Sequence, residues 1–80
     1  ATLDGARTRN KSGDLDGSLK EYEALIRANV QVNDIVDDLT SLSKLHRGHP
    51  VVYRVLGDGL MRQGKLQQAL DIYREALSQL

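Results

Sequence analysis

The stretch from Pro50 to Leu80, PVVYRVLGDGLMRQGKLQQALDIYREALSQL, carries the strongest pattern in the chain. Pro50 suits the first position of a helix, where its missing N–H is no loss. Val52, Tyr53, Leu56 and Leu60 follow at helical spacing and predict the buried side of a helix over 51–63. Gly64 ends it. Leu66, Ala69, Leu70, Tyr73, Ala76, Leu77 and Leu80 then form an apolar stripe for a helix over about 66–79. Gly57 and Gly59 lie inside the first of these helices, where each costs about 0.8–1 kcal/mol relative to alanine. A helix that accepts both predicts a close approach of another backbone. At Gly57 that makes valine disruptive, whereas at Gly59 alanine is expected to stabilise by about 0.4–1 kcal/mol.

Upstream of this stretch the sequence predicts three more helices. ATLDGARTRNKS is the weakest: Leu3 and Ala6 share a face, Gly5 is unfavourable, and a short helix over about 2–12 needs tertiary support. Gly13 and Asp14 are a stop and a cap. Asp14 and Asp16 fall short of a calcium loop, since its further spaced oxygen ligands are missing. Leu15, Leu19, Tyr22, Leu25 and Ile26 give one apolar stripe to a helix over 15–28, with Glu23 and Arg27 an i,i+4 pair on its other side. Residues 29–33 read as a turn. Val32, Ile35, Val36, Leu39, Leu42 and Leu45 then mark a helix over 33–47, begun at Asn33 or Asp34 and stopped by Gly48.

Composition bounds the function classes. Eighty residues make one domain, and an apolar fraction of 40% with 28% charged side chains is that of a globular chain. Eleven basic and eleven acidic side chains cancel, so no global field draws in nucleic acid or an anionic membrane. Arg7, Arg9 and Lys11 are a local basic cluster, read as a solvated helix face. There is no cysteine, hence no thiolate zinc site. His46 and His49 are separated by Gly48 and lack a third ligand nearby, so they read as helix-end residues and no metal or other cofactor is expected. No apolar run approaches the roughly 20 residues of a membrane span, and without a leader a cytoplasmic setting is the default expectation. No nucleophile elbow, phosphate-binding loop or histidine–carboxylate pair is present, which predicts a non-enzyme.

The chain also resembles itself. Gly13, Leu15, Leu19, Tyr22 and Ile26 recur as Gly64, Leu66, Leu70, Tyr73 and Leu77, each 51 residues further on, with Ser18 and Ala69 both small. Such self-similarity marks a helical repeat array. Residues 50–80 resemble a tetratricopeptide repeat, a helix–turn–helix unit of 34 residues, through Tyr53, Leu56, Gly57, Gly64, Ala69, Tyr73 and Ala76. Residues 13–28 resemble the second half of another unit. The resemblance implies an all-α, five-helix antiparallel solenoid: a degenerate repeat over 1–29, a single half-repeat helix over 30–49 and a complete repeat over 50–80. A displacement of 51 is one and a half repeats, so the third helix is either one step of a continuous zigzag or the site of a kink. Short connectors favour antiparallel neighbours throughout.

The resemblance further implies a non-catalytic module that holds a peptide or partner helix in a groove. Carried onto this sequence, the groove includes Arg54, Asp58, Met61 and Arg62. Arg54, Asp58 and Arg62 also suit an intrahelical charge ladder, and Asp58 would repel a ligand carboxylate drawn to Arg54. An array needs a polar cap over its last apolar groove. Leu66, Leu70, Leu77 and Leu80 lack one, which predicts as the alternative function a structural or oligomerising segment of a longer solenoid that self-associates through its uncapped C-terminal helix.

Overall fold

Residues 1–80 of the computed structural model form five α-helices and no strands. They are α1 (Leu3–Lys11), α2 (Leu15–Arg27), α3 (Val32–Leu45), α4 (Pro50–Arg62) and α5 (Leu66–Ser78). The boundaries follow from local chemistry. Thr2 caps α1 by accepting from the Gly5 N–H, and Asp14 caps α2 by accepting from Gly17 at 2.9 Å. His49 caps α4 through Nδ1, which accepts from the Val52 N–H, so this histidine is a helix-end residue. Gly13, Gly48 and Gly64 turn the chain with φ of 88°, 85° and 76°, a region in which other L-residues are strained.

The turn between α2 and α3 departs from the expected cap. Asn29 and Gln31 both take left-handed φ, 57° and 51°, and α3 begins at Val32 after Gln31 with no side-chain cap. Asn33 is thereby released from capping, and its Oδ1 accepts from Gln63 Nε2 at the far end of α4. Two non-glycine residues in this conformation splay α3 away from α2.

That splay sets the architecture. α1 packs on α2 and α4 packs on both α3 and α5, but α2 meets α4 over a larger interface than it shares with α3. Glu23 faces Arg54 and Arg27 faces Arg62, so α2 and α4 run in the same direction. α3 opposes α4, with Asn33 at Gln63 and Val36 at Gly59. The five helices are therefore not a simple file of antiparallel neighbours: α4 sits in a cleft between α2 and α3.

One continuous core fills the space between them, from Leu3 and Ala6 through Tyr22, Ile35, Leu39 and Val52 to Ala69. Val55 is fully buried although the expected apolar stripe omits it, and Tyr53, expected on the buried side, is only half-buried. Leu45 is exposed because α3 ends beside it. The stripe on α5 divides: Ala69, Ile72, Tyr73 and Ala76 face inward, while Leu66, Leu70, Leu77 and Leu80 are exposed. The contact anticipated at Gly57 is with a side chain, not a backbone. A β-carbon there would lie 2.5 Å from the Tyr73 ring.

Asp38 joins the first three helices. Its carboxylate accepts two bonds from Arg7 of α1, at 2.8 and 3.0 Å, and one from the Tyr22 hydroxyl of α2 at 2.8 Å. Burial would raise its pKa, but the donors on Arg7 and Tyr22 outweigh it and hold the group below the usual carboxylate value. The same contact, after burial itself, pushes the Tyr22 phenol well above its usual range. The Ser18 hydroxyl donates to the Ala6 carbonyl at 2.8 Å, adding a buried tie between α1 and α2. These ties give α1 the tertiary support its weak sequence requires. No helix is long and apolar enough to cross a membrane.

Candidate functional site

The outward side of α4 carries Val51, Arg54, Asp58, Met61 and Arg62, all exposed or half-buried. α2 stands on one flank and α5 on the other, so α4 is the floor of a groove. The close contact between Gly57 and Tyr73 seats α5 near enough for the Tyr73 hydroxyl to reach over α4 and donate to Asp58 at 2.6 Å. Burial first, and then this bond, push the Tyr73 pKa up to about 12.

The polar residues of the groove are engaged with one another. Arg54 contacts Glu23 of α2 at 2.6 Å and Asp58 at 3.5 Å, and Glu23 also holds Arg27 at 3.1 Å. Arg62 donates to the Arg27 backbone carbonyl at 3.1 Å, satisfying one of the open carbonyls at the end of α2. The charge ladder expected along α4 therefore exists only between Arg54 and Asp58. Arg62 reaches across to α2 instead. Tyr73, Asp58, Arg54, Glu23 and Arg27 form one chain of polar contacts from α5 through α4 to α2.

On either side of the Tyr73–Asp58 bond the groove differs in character. Toward the N-terminus of α4 lies a hollow of about 590 Å³, lined by Pro50, Val51, Arg54, Asp58, Tyr73, Ala76, Leu77 and Leu80 and mostly apolar. Toward its C-terminus lies a smaller hollow of about 390 Å³, formed by Glu23, Ile26, Arg27, Asp58, Met61, Arg62 and Tyr73. Residues of the predicted groove and of the predicted self-association face thus meet here. Arg54 and Asp58 of the groove share the apolar hollow with Leu77 and Leu80 of the predicted self-association face. Leu66 and Leu70 lie further along α5, outside it.

The remaining signature residues are structural. Leu56 and Ala69 are in the core, Ala76 is nearly buried beneath the apolar hollow, and Gly64 makes the turn. Pro50, Val51, Glu23 and Arg27 line the groove without having been singled out from sequence for it. Glu23 carried a signal as the i,i+4 partner of Arg27, but its place beside Arg54 depends on α2 and α4 running side by side. No group of three or more histidine, aspartate or glutamate side chains is arranged to hold a metal ion. In the basic cluster, Arg7 pairs with Asp38, and Arg9 pairs with Asp14 and Glu21.

No family model matches the chain, nor does any curated protein or solved structure.

Proposed function

We propose that this chain is a non-catalytic protein–protein interaction module of the tetratricopeptide type, holding a peptide or partner helix in the groove over α4. The observation that carries the reading is the groove's two-part lining. An amphipathic helix presents apolar anchors at i, i+3 and i+4 beside polar flanks. Pro50, Val51, Leu77 and Leu80 offer apolar surface to the first, and Arg54, Asp58 and Arg62 offer charge to the second. The groove's charged side chains are largely paired with one another, so a partner's charged flanks exchange with these pairs. In support of the repeat type, Gly57 seats the Tyr73 ring, Ala69 and Ala76 are the small buried residues of α5, and Gly64 makes the turn. In this reading residues 50–80 are the complete unit, 1–29 a degenerate one and 30–49 the helix between them. The partner is a protein or peptide. The balanced charge of the chain gives nucleic acid and anionic membrane little attraction.

A pull-down with the intact chain tests this. A specific partner captured by the native chain should be lost by Arg54→Glu with Arg62→Glu, and by Leu77→Asp, while circular dichroism stays unchanged. Retention of every partner by both variants would remove the groove from the account.

Self-association is the second reading. It is favoured by Leu66, Leu70 and Leu77 on α5 and Leu80 just past its end, which are 56%, 48%, 67% and 89% exposed.

A further inference from the structure

Leu66, Leu70, Tyr73 and Leu77 follow one another along α5 at steps of four, three and four residues, and Leu80 continues the spacing just past its end. That spacing keeps a continuous seam on one side of a helix, the pattern by which one helix packs along another. It borders the side that α5 turns to its own core, which Ala69, Ile72 and Ala76 provide, and shares with it the half-buried Tyr73, whose ring packs against Gly57. α4 is the helix against which α5 packs extensively, and it leaves all four leucines of the seam exposed.

We propose that a second copy of this chain covers the seam, with the two α5 helices antiparallel about a two-fold axis. The proposal deepens the self-association reading above and rests on it. The spacing itself is self-complementary. When α5 is turned end for end about a point between Asp71 and Ile72, the part of the seam from Leu66 to Leu77 maps onto itself, and Leu80 lies beyond the paired length. Leu66 then falls opposite Leu77 of the second copy, and Leu70 opposite its Tyr73. From Leu66 to Leu77 each level sets a leucine against a leucine or against the half-buried ring of Tyr73. The seam contains no charged side chain, and the chain's formal net charge is zero, so two copies meet without like charges opposed across the seam or a long-range repulsion. The apolar hollow beside Leu77 also receives Leu66 of the second copy next to Pro50 and Val51. Two helices of 13 residues make an interface at the low end of specific association, about 1,200 Å² or less in total. The dimer is therefore reversible and concentration-dependent.

The chain has no cysteine, so single introduced thiols report the pairing directly. Sedimentation velocity of the native chain should show a monomer–dimer equilibrium that Leu70→Glu abolishes. Leu70 is 48% exposed, so the variant should keep its helical signal. In a mixture of a Leu66→Cys chain and a Leu77→Cys chain, the mixed disulfide should form several-fold faster than either self-disulfide. In the antiparallel register each thiol lies about 16 Å along the axis from its own counterpart at 1.5 Å per residue. A dimer whose self-disulfides form as fast as the mixed one overturns the antiparallel seam and leaves self-association standing. A native chain that stays monomeric at every concentration overturns both.

Discussion

Gly59 shows how a single missing methyl group reverses an expectation. Helix propensity alone favours alanine there by about 1 kcal/mol. A β-carbon on Gly59, however, would stand 2.8 Å from Val36 Cγ2 and 3.5 Å from Ile26 Cδ1. Valine in a helix has one strongly preferred χ1 rotamer, so Val36 has little freedom to swing aside, and α3 must shift. Overpacking of this kind costs about 1–3 kcal/mol and outweighs the propensity gain. Gly59→Ala should therefore lower stability by about 0.5–2 kcal/mol, the opposite of the sequence-based expectation. In a Val36→Ala background the same substitution should become stabilising, by about 0.5–1 kcal/mol. Urea midpoints of the four chains measure that coupling, and strict additivity would show that the two residues do not touch. Tyr73 supplies a second residue-scale test. Its pKa, raised to about 12 by burial and by the bond to Asp58, favours the neutral phenol in the folded chain. A raised pKa contributes stability that is complete below the unfolded value of about 10 and is lost as pH climbs toward 12. The stability difference between the native chain and Tyr73→Phe should shrink over that interval in thermal melts. A difference that stays constant to pH 12 would mean that the hydroxyl is not held by Asp58.

At the scale of helices, Asp38 decides whether α1 stays attached. Three donors from two other helices converge on this carboxylate, and the Tyr22 side chain beneath it is almost wholly buried. Asp38→Ala leaves that hydroxyl without its acceptor and should cost about 1–3 kcal/mol. Hydrogen exchange should rise first in α1, because Arg7 loses its anchor; uniform acceleration across all five helices would argue against a local role. The sign with pH runs opposite to that of Tyr73. Asp38 is depressed in the folded chain, so its contribution is present above the unfolded value of about 3.9 and is lost as pH falls through the lower folded value. Helix existence and most ends were legible in the sequence because caps and turn glycines are local, the uncapped start of α3 at Val32 being the exception. Asp14, His49, Pro50 and Gly64 act on residues within a turn of themselves. Helix placement was not. The left-handed Asn29 and Gln31 have no glycine to announce them, and they decide that α2 lies beside α4. The pairing of Glu23 with Arg54 spans 31 residues and follows only from that placement.

For the molecule as a whole, the radius of gyration is 11.5 Å, with extents of 29, 24 and 16 Å. A globular chain of this length is expected at about 11.6 Å, so five helices close on themselves as tightly as an ordinary domain. Closure leaves one side incompletely covered, and there the two proposed functions share residues. Tyr73, Leu77 and Leu80 belong both to the apolar hollow of the groove and to the seam on α5. A helix seated in the groove and a second copy seated on the seam therefore compete for the same surface. Thermodynamic linkage makes the competition reciprocal: ligand shifts the chain toward monomer as strongly as dimerisation weakens ligand binding. The effect has a calculable size. At a total protein concentration of about ten times the dimer dissociation constant, about one fifth of the chains are monomeric, and apparent affinity for a groove ligand falls about fivefold. A helical peptide selected for binding to the dilute chain from a display library provides the probe. Titrated at rising protein concentration, it should lose affinity with the native chain and keep it with Leu70→Glu, whose substituted side chain lies outside the apolar hollow. Equal affinity at all concentrations, with sedimentation still showing a dimer, would mean that groove and seam are separate surfaces.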